Sequence, residues 1–106
     1  MKVNQVDKNG LKTGIWEFYY KNGQVMLRRN YKSGQPHGLS EDFLLGGHLV
    51  YKVNFKNGKE HGRKESYNSD GSLFSCGMMK NGVRVGLWKF YHNKNQGLMS
   101  RVFYVN

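Results

Sequence analysis

The sequence predicts an all-β protein: a single-layer antiparallel meander of stacked β-hairpins, about eight to nine strands with the first from "MKVNQV". Three observations predict it. The chain repeats itself every 24 residues, its segments between turns alternate with period two, and glycines recur at fixed places in the turns.

The repeat comes first, because a fixed period of this length marks a stacked architecture. Gly10, Gly34, Gly58 and Gly82 stand 24 residues apart, as do Gly14, Gly38, Gly62 and Gly86. Aromatic residues follow at Tyr19, Phe43, Tyr67 and Tyr91, in the places a shared core needs. A second turn glycine comes next, at Gly23, Gly47 and Gly71, with Gly97 displaced in "HNKNQG". The units span approximately 8–31, 32–55, 56–79 and 80–105 and make one domain. A single hairpin is unstable in water and must bury its apolar face against neighbours, which is a physical reason for the repetition.

The strands read by alternation. "LVYKVNF" puts Leu49, Tyr51, Val53 and Phe55 on one face and Val50, Lys52 and Asn54 on the other. "IWEFYY" likewise separates Trp16, Phe18 and Tyr20 from Ile15, Glu17 and Tyr19. No segment carries a helical stripe. Asn22-Gly23 and Asp70-Gly71 predict type I′ hairpin turns, whose two central residues both need positive φ. Asn-Gly at 9–10, 57–58 and 81–82 supplies positive φ too, and the glycine four residues on lets the chain re-enter the sheet without a clashing Cβ.

Charge is the strongest compositional signal. Seventeen Lys and Arg against seven Asp and Glu give a net charge of +10, which favours anionic partners: an acidic protein, phospholipid head groups, nucleotides or nucleic acid. No apolar run approaches the ~18–20 residues of a membrane span. The start of the chain has no apolar leader core, so a cytoplasmic protein is expected. Cys76 is the single cysteine, expected as a small apolar filler on a strand.

"GIWEFYYKNGQV" followed by "YKSGQPHG", and "GLWKFYHNKNQG" preceded by "MKNGVRVG", resemble the MORN repeat in its bacterial variant form. The middle copies keep the glycines and aromatics but carry Ser40 and Lys64 where the outer ones carry tryptophan. Stand-alone bacterial proteins of this type are grouped as the YwqK-like antitoxin or immunity family, so the resemblance implies binding and neutralising a toxin. Longer eukaryotic relatives imply binding of acidic phospholipids and scaffolding. Neither activity is tied to particular motif residues.

The residues offer little for catalysis. His37 and His61 hold equivalent places in successive repeats, about 9.5–10 Å apart across two strand spacings, too far to share one metal without convergence of the turns. Glu17, Glu41 and Glu65, with Lys89 completing the series, are separated similarly and are expected to pair with cations on adjacent strands. Asp42 is the acidic residue outside this rule. No Ser–His–Asp order, nucleophile elbow or phosphate loop is present. An enzyme, a metal and a cofactor are therefore not expected.

What remains is a surface. Trp16 and Phe18 recur as Trp88 and Phe90, whereas their counterparts in the middle repeats are Ser40 and Asp42, then Lys64 and Ser66. Positions that vary between repeats are read as a binding face or as caps on the stack. The candidate contact residues are Trp16, Phe18, Tyr20, Arg28, Lys52, Lys64, Trp88 and Phe90. The expected function is a non-enzymatic protein-binding module, an antitoxin or immunity protein that covers a toxin's active surface. The alternative is a binder of an anionic ligand through the same basic aromatic groove. Open edge strands also invite pairing with a second copy.

Overall fold

The computed structural model of the protein describes residues 2–92 and 97–105. Residues 93–96, on which most of the displaced fourth turn falls, and Met1 of the expected first strand lie outside the described residues. The strands are β1 (Gln5–Val6), β2 (Lys12–Tyr19), β3 (Val25–Lys32), β4 (Gln35–Phe43), β5 (Leu49–Lys56), β6 (Lys59–Tyr67), β7 (Leu73–Lys80), β8 (Val83–Tyr91) and β9 (Leu98–Tyr104). They form one nine-stranded sheet in chain order, every neighbouring pair antiparallel. No helix among the described residues is long and apolar enough to cross a membrane.

The hairpins use two kinds of turn. At one end, Ser33-Gly34, Asn57-Gly58 and Asn81-Gly82 have positive φ at both residues (49° and 83°, 50° and 86°, 50° and 88°). This is the geometry of type I′ turns, whose twist matches the flanking strands. Each turn is also stapled to the preceding repeat. The Gly34, Gly58 and Gly82 amides donate to the carbonyls of Lys12, Pro36 and Glu60 at 3.0, 2.9 and 2.8 Å. Beside them, the Asn57 and Asn81 amides donate to Nδ1 of His37 and His61 at 3.3 and 3.4 Å. The repeated histidines thus serve the turns.

The other end departs from expectation. Asn22 and Asp70 are not left-handed; only Gly23 (φ 90°) and Gly71 (φ 89°) are. The Tyr20 amide donates to the Gln24 carbonyl (2.8 Å) and the Gly23 amide to the Tyr20 carbonyl (2.9 Å), with the same pair of bonds at Asn68–Ser72 and Asn68–Gly71. These loops therefore hold three residues, ending on a left-handed glycine that generates a bulge, instead of the expected two-residue type I′ turn. The strand register shifts accordingly at Phe18/Tyr19, Asp42/Phe43 and Ser66/Tyr67.

The second glycine of each repeat bends a strand. Gly38 (φ 101°) lies where Tyr31 faces Pro36 but Arg29 already faces Ser40, so extra residues bulge out opposite Asn30. A Cβ at Gly38 would stand 3.3 Å from the Asn30 Cβ, so both the conformation and the space call for glycine.

A one-layer sheet buries little. The core is Val53, Met79 and Trp88, with Phe55, Phe90 and Tyr104 packed against it. Full burial of a Val or Met side chain contributes about 1.5–3 kcal/mol. The expectation that the Tyr19 series forms the core is corrected at its first member. Tyr19 is 47 % exposed, and its hydroxyl reaches back along the same face to donate to Glu17 at 2.7 Å.

Candidate functional site

Cross-strand partners in a sheet point to the same side, so the register defines two faces. One row runs Trp16, Arg29, Ser40, Val53, Lys64, Gly77, then Trp88 lying across Gly77. The next runs Phe18, Leu27, Asp42, Tyr51, Ser66, Ser75, Phe90. Together they make a tryptophan face. The opposite face carries Glu17, Arg28, Glu41, Lys52, Glu65, Cys76 and Lys89 in one row.

Of the contact residues expected from sequence, Trp16, Phe18, Lys64, Trp88 and Phe90 share the tryptophan face. Tyr20 joins them at the rim of a hollow formed with Leu27, Asp42 and Tyr51, its hydroxyl held by the Phe43 carbonyl at 2.7 Å. Arg28 and Lys52 lie on the charged face, so the single strip of cations and aromatics divides in two. Trp16 and Trp88 are also separated, by six strand spacings, roughly 29 Å.

The charged face is a ladder of alternating sign. Arg28 bonds Glu17 at 2.8 Å and approaches Glu41 at 3.8 Å; Arg63 bonds Glu65 at 3.1 Å. The Tyr19 hydroxyl and Arg28 hold the Glu17 carboxyl below the usual carboxylate range. Burial pushes Glu65 upward, but the Tyr67 hydroxyl and Arg63 outweigh it and the carboxyl ends below its usual value. Burial, together with that carboxylate, raises the Tyr67 phenol to about 12. Glu17 and Glu41 thus meet a cation on an adjacent strand as expected, whereas Glu65 pairs with Arg63 on its own strand. Cys76 is buried in this row, a free thiol.

On the tryptophan face cations also stack on rings. The Lys12 ammonium lies 5.1 Å from the Trp16 ring and 5.7 Å from that of Tyr31. The Arg29 guanidinium lies 4.7 Å from Phe55, Lys64 5.3 Å from Tyr51, and Arg84 4.6 Å from Trp88. Such stacks are worth about 0.5–1 kcal/mol each where exposed.

The varied tryptophan positions are filled differently, not left empty. Trp88 is 1 % exposed, with Arg84 over it, Gly77 beneath it, and its indole N–H donating to the Met78 carbonyl at 3.1 Å. It supports the face from inside. Ser40 is 0 % exposed because Arg29 folds over it and donates to its hydroxyl at 2.9 Å. Lys64 instead meets Glu60 at 3.1 Å. Trp16 stays half-buried and donates to the Gln5 carbonyl at 2.8 Å.

Two hollows meet at Val50 and Tyr51. One, of 310 Å³, extends toward Tyr20. The other, of 350 Å³, is floored by Ser66 and Ser75 and bounded by Tyr51, Phe74, Trp88 and Phe90, with Lys64 and Arg84 at its rim. Sequence alternation placed Val50 opposite Tyr51, yet both line this groove. The bulge is the reason: it turns successive residues to one side, and Phe74 beside Ser75 repeats the effect, its ring edge-on to Phe90 at 6.1 Å. The signal that marks these residues is the left-handed turn glycine three positions earlier, Gly47 before Val50 and Gly71 before Phe74.

Such an arrangement can bind through apolar contact, cation stacking and hydroxyl groups. Among the described residues no three His, Cys, Asp or Glu side chains gather as a metal-holding group.

Residues 12–33 match the family described as MORN repeat variant, and no curated protein or solved structure matches the chain. The MORN repeat is a non-catalytic membrane- and protein-binding module, which fits the groove and its chemistry.

Proposed function

We propose that the protein is a non-enzymatic protein-binding module of the bacterial cytoplasm, an antitoxin or immunity protein that neutralises a toxin by covering its active surface. The observation that carries this reading is the tryptophan face, where aromatic rings border two adjoining hollows and the stacked Lys64 and Arg84 line the larger one. Aromatic and cationic anchors around pockets are the features that dominate protein interfaces. Trp16, Phe18, Tyr20, Lys64 and Phe90 are the contact residues in this reading, and Trp88 stiffens the surface beneath them. Arg28 and Lys52 touch only a partner that reaches around the sheet. A chain of net charge +10 fits an acidic toxin surface.

The net charge also favours a second reading, in which the same face binds an anionic ligand: a phospholipid head group, nucleotide or nucleic acid. Capture from the native host, followed by expression of each captured protein alone and with this chain, tests the two. The antitoxin reading expects one captured protein to arrest growth by itself and to be silenced by co-expression. Phe18→Glu with Phe90→Glu should abolish the silencing while the chain still folds. The complex should also survive moderate salt. A captured set without a growth-arresting member overturns the antitoxin reading, and binding that falls by more than about tenfold between low and moderate salt assigns the face to an anionic ligand.

A further inference from the structure

The larger hollow exists because the third repeat is small where its neighbours are large. Along the row Phe18, Leu27, Asp42, Tyr51, Ser66, Ser75, Phe90, only Ser66 and Ser75 are adjacent small side chains. They leave a gap three strand spacings wide between Tyr51 and Phe90, roughly 14 Å between backbones. At 350 Å³ it lies at the lower end of the range of small-molecule sites, about 300–1,000 Å³. Its floor is a pair of hydroxyls that hydrogen-bond to each other and keep further capacity for a ligand.

Electrostatics narrows the occupant. The lining contains Lys64 and Arg84 and no carboxylate. Lys64 gives a hydrogen bond to Glu60 and Arg84 gives one to the Tyr104 hydroxyl; an ammonium has three donors and a guanidinium five. With Glu60 beside Lys64, and Asp42 next to Tyr51 drawing on Lys64 and Arg29, the remaining positive field suits one negative charge better than the several of a nucleotide's phosphates. The aromatic walls suit a flat ring.

The geometry points to a site for an aromatic ring bearing a carboxylate, with the ring over Ser66 and Ser75 between Tyr51 and Phe90 and the anion at Lys64 and Arg84. The inference rests on the tryptophan face being the binding face. Its ligand chemistry has two sources, a free aromatic acid or an aromatic residue beside an acidic one on a protein partner.

Titration of the full chain by amide NMR tests it, with N-acetyltryptophan, the uncharged N-acetyltryptophanamide, and a capped Gly-Trp-Asp-Gly peptide as probes. The acid should shift the Ser66, Ser75 and Phe90 amides and bind about 2- to 30-fold tighter than the amide, the range for two exposed ion pairs. Ser66→Leu, which fills the floor, should remove binding, and Lys64→Gln should shrink the preference for the acid while leaving the ring contact. A peptide that binds as tightly as the free acid assigns the site to a partner's side chains; a peptide that binds more weakly assigns it to a free acid. Equal binding of acid and amide overturns the anion site. Binding indifferent to Ser66→Leu overturns its location, and no shift with any probe overturns the ligand class. Loss of growth silencing in Phe18→Glu with Phe90→Glu would still stand after any of these, so the two readings fail separately.

Discussion

Asp42 shows how a single residue on the tryptophan face differs from its counterparts on the charged face. It sits opposite Leu27 and Tyr51, where burial raises its carboxyl above the usual range. Arg29 and Lys64 pull the other way and Glu60 adds to the rise, so burial prevails. A carboxyl whose folded pKa is raised contributes stability below its unfolded pKa and loses it as pH climbs through the folded value. Ionised Asp42 therefore opposes folding at neutral pH. Glu17 and Glu65 have the opposite sign: their lowered values mean stability present above the unfolded pKa and lost on acidification. Asp42→Asn should raise the melting temperature at neutral pH, with the difference from the native chain closing as pH falls below the ordinary aspartate range. A lower melting temperature at neutral pH would mean that Arg29 and Lys64 hold the carboxylate more strongly than burial opposes it.

At the scale of the element, the turns decide what the sequence could reveal. Positive φ restricts residue choice severely, so the glycine spacing exposed the repeat, the hairpins and the strand count. The loop type was less legible. Asn9-Gly10 and Asn57-Gly58 are the same dipeptide, yet only the second is left-handed at asparagine (φ 50°). In the first, the Gly10 amide donates to the Asp7 carbonyl at 2.9 Å, closing a longer loop. What separates them is which residues close the loop, and that depends on pairing across the sheet. The same blindness hid Val50 and Phe74, because alternation fails at a bulge that only the folded loop creates. Asn57→Ala should therefore cost about 1–2 kcal/mol, the penalty of a left-handed alanine, whereas Asn9→Ala should change stability by less than about 0.5 kcal/mol. Urea denaturation of the two variants measures the difference, and equal losses would contradict the distinct turn geometries.

Across the whole molecule, the repeats are alike in backbone and varied in how neighbouring strands fill the tryptophan face. Variation between repeats looked in the sequence like freedom, but the structure shows exchange between partners. Where β8 carries Trp88, β7 carries Gly77, and a Cβ there would fall 2.2 Å from the indole. Where β4 carries Ser40, β3 carries Arg29, which covers it and stacks on Phe55. Where β6 carries Lys64, β5 carries Val53 and Glu60 supplies the charge. At β7–β8 and at β3–β4 the large side chain thus lies over a smaller neighbour, a relation between residues 11 apart that a single position cannot display. In a stacked array where each unit touches only its neighbours, such a pair should be transferable from one interface to another. Ser40→Trp alone places an indole where Arg29 already lies and should cost about 1–3 kcal/mol through overpacking. Arg29→Gly alone strips the cover from Ser40, removes the stack on Phe55 and adds the backbone cost of glycine in a strand. Together they recreate the Gly77–Trp88 arrangement, so the double variant should be more stable than the sum of the two losses by about 0.5–3 kcal/mol. Urea midpoints of the four proteins in the cycle give that coupling directly. A coupling near zero would mean that the rows of this face are filled independently, and the tryptophan positions would again be free to serve a partner alone.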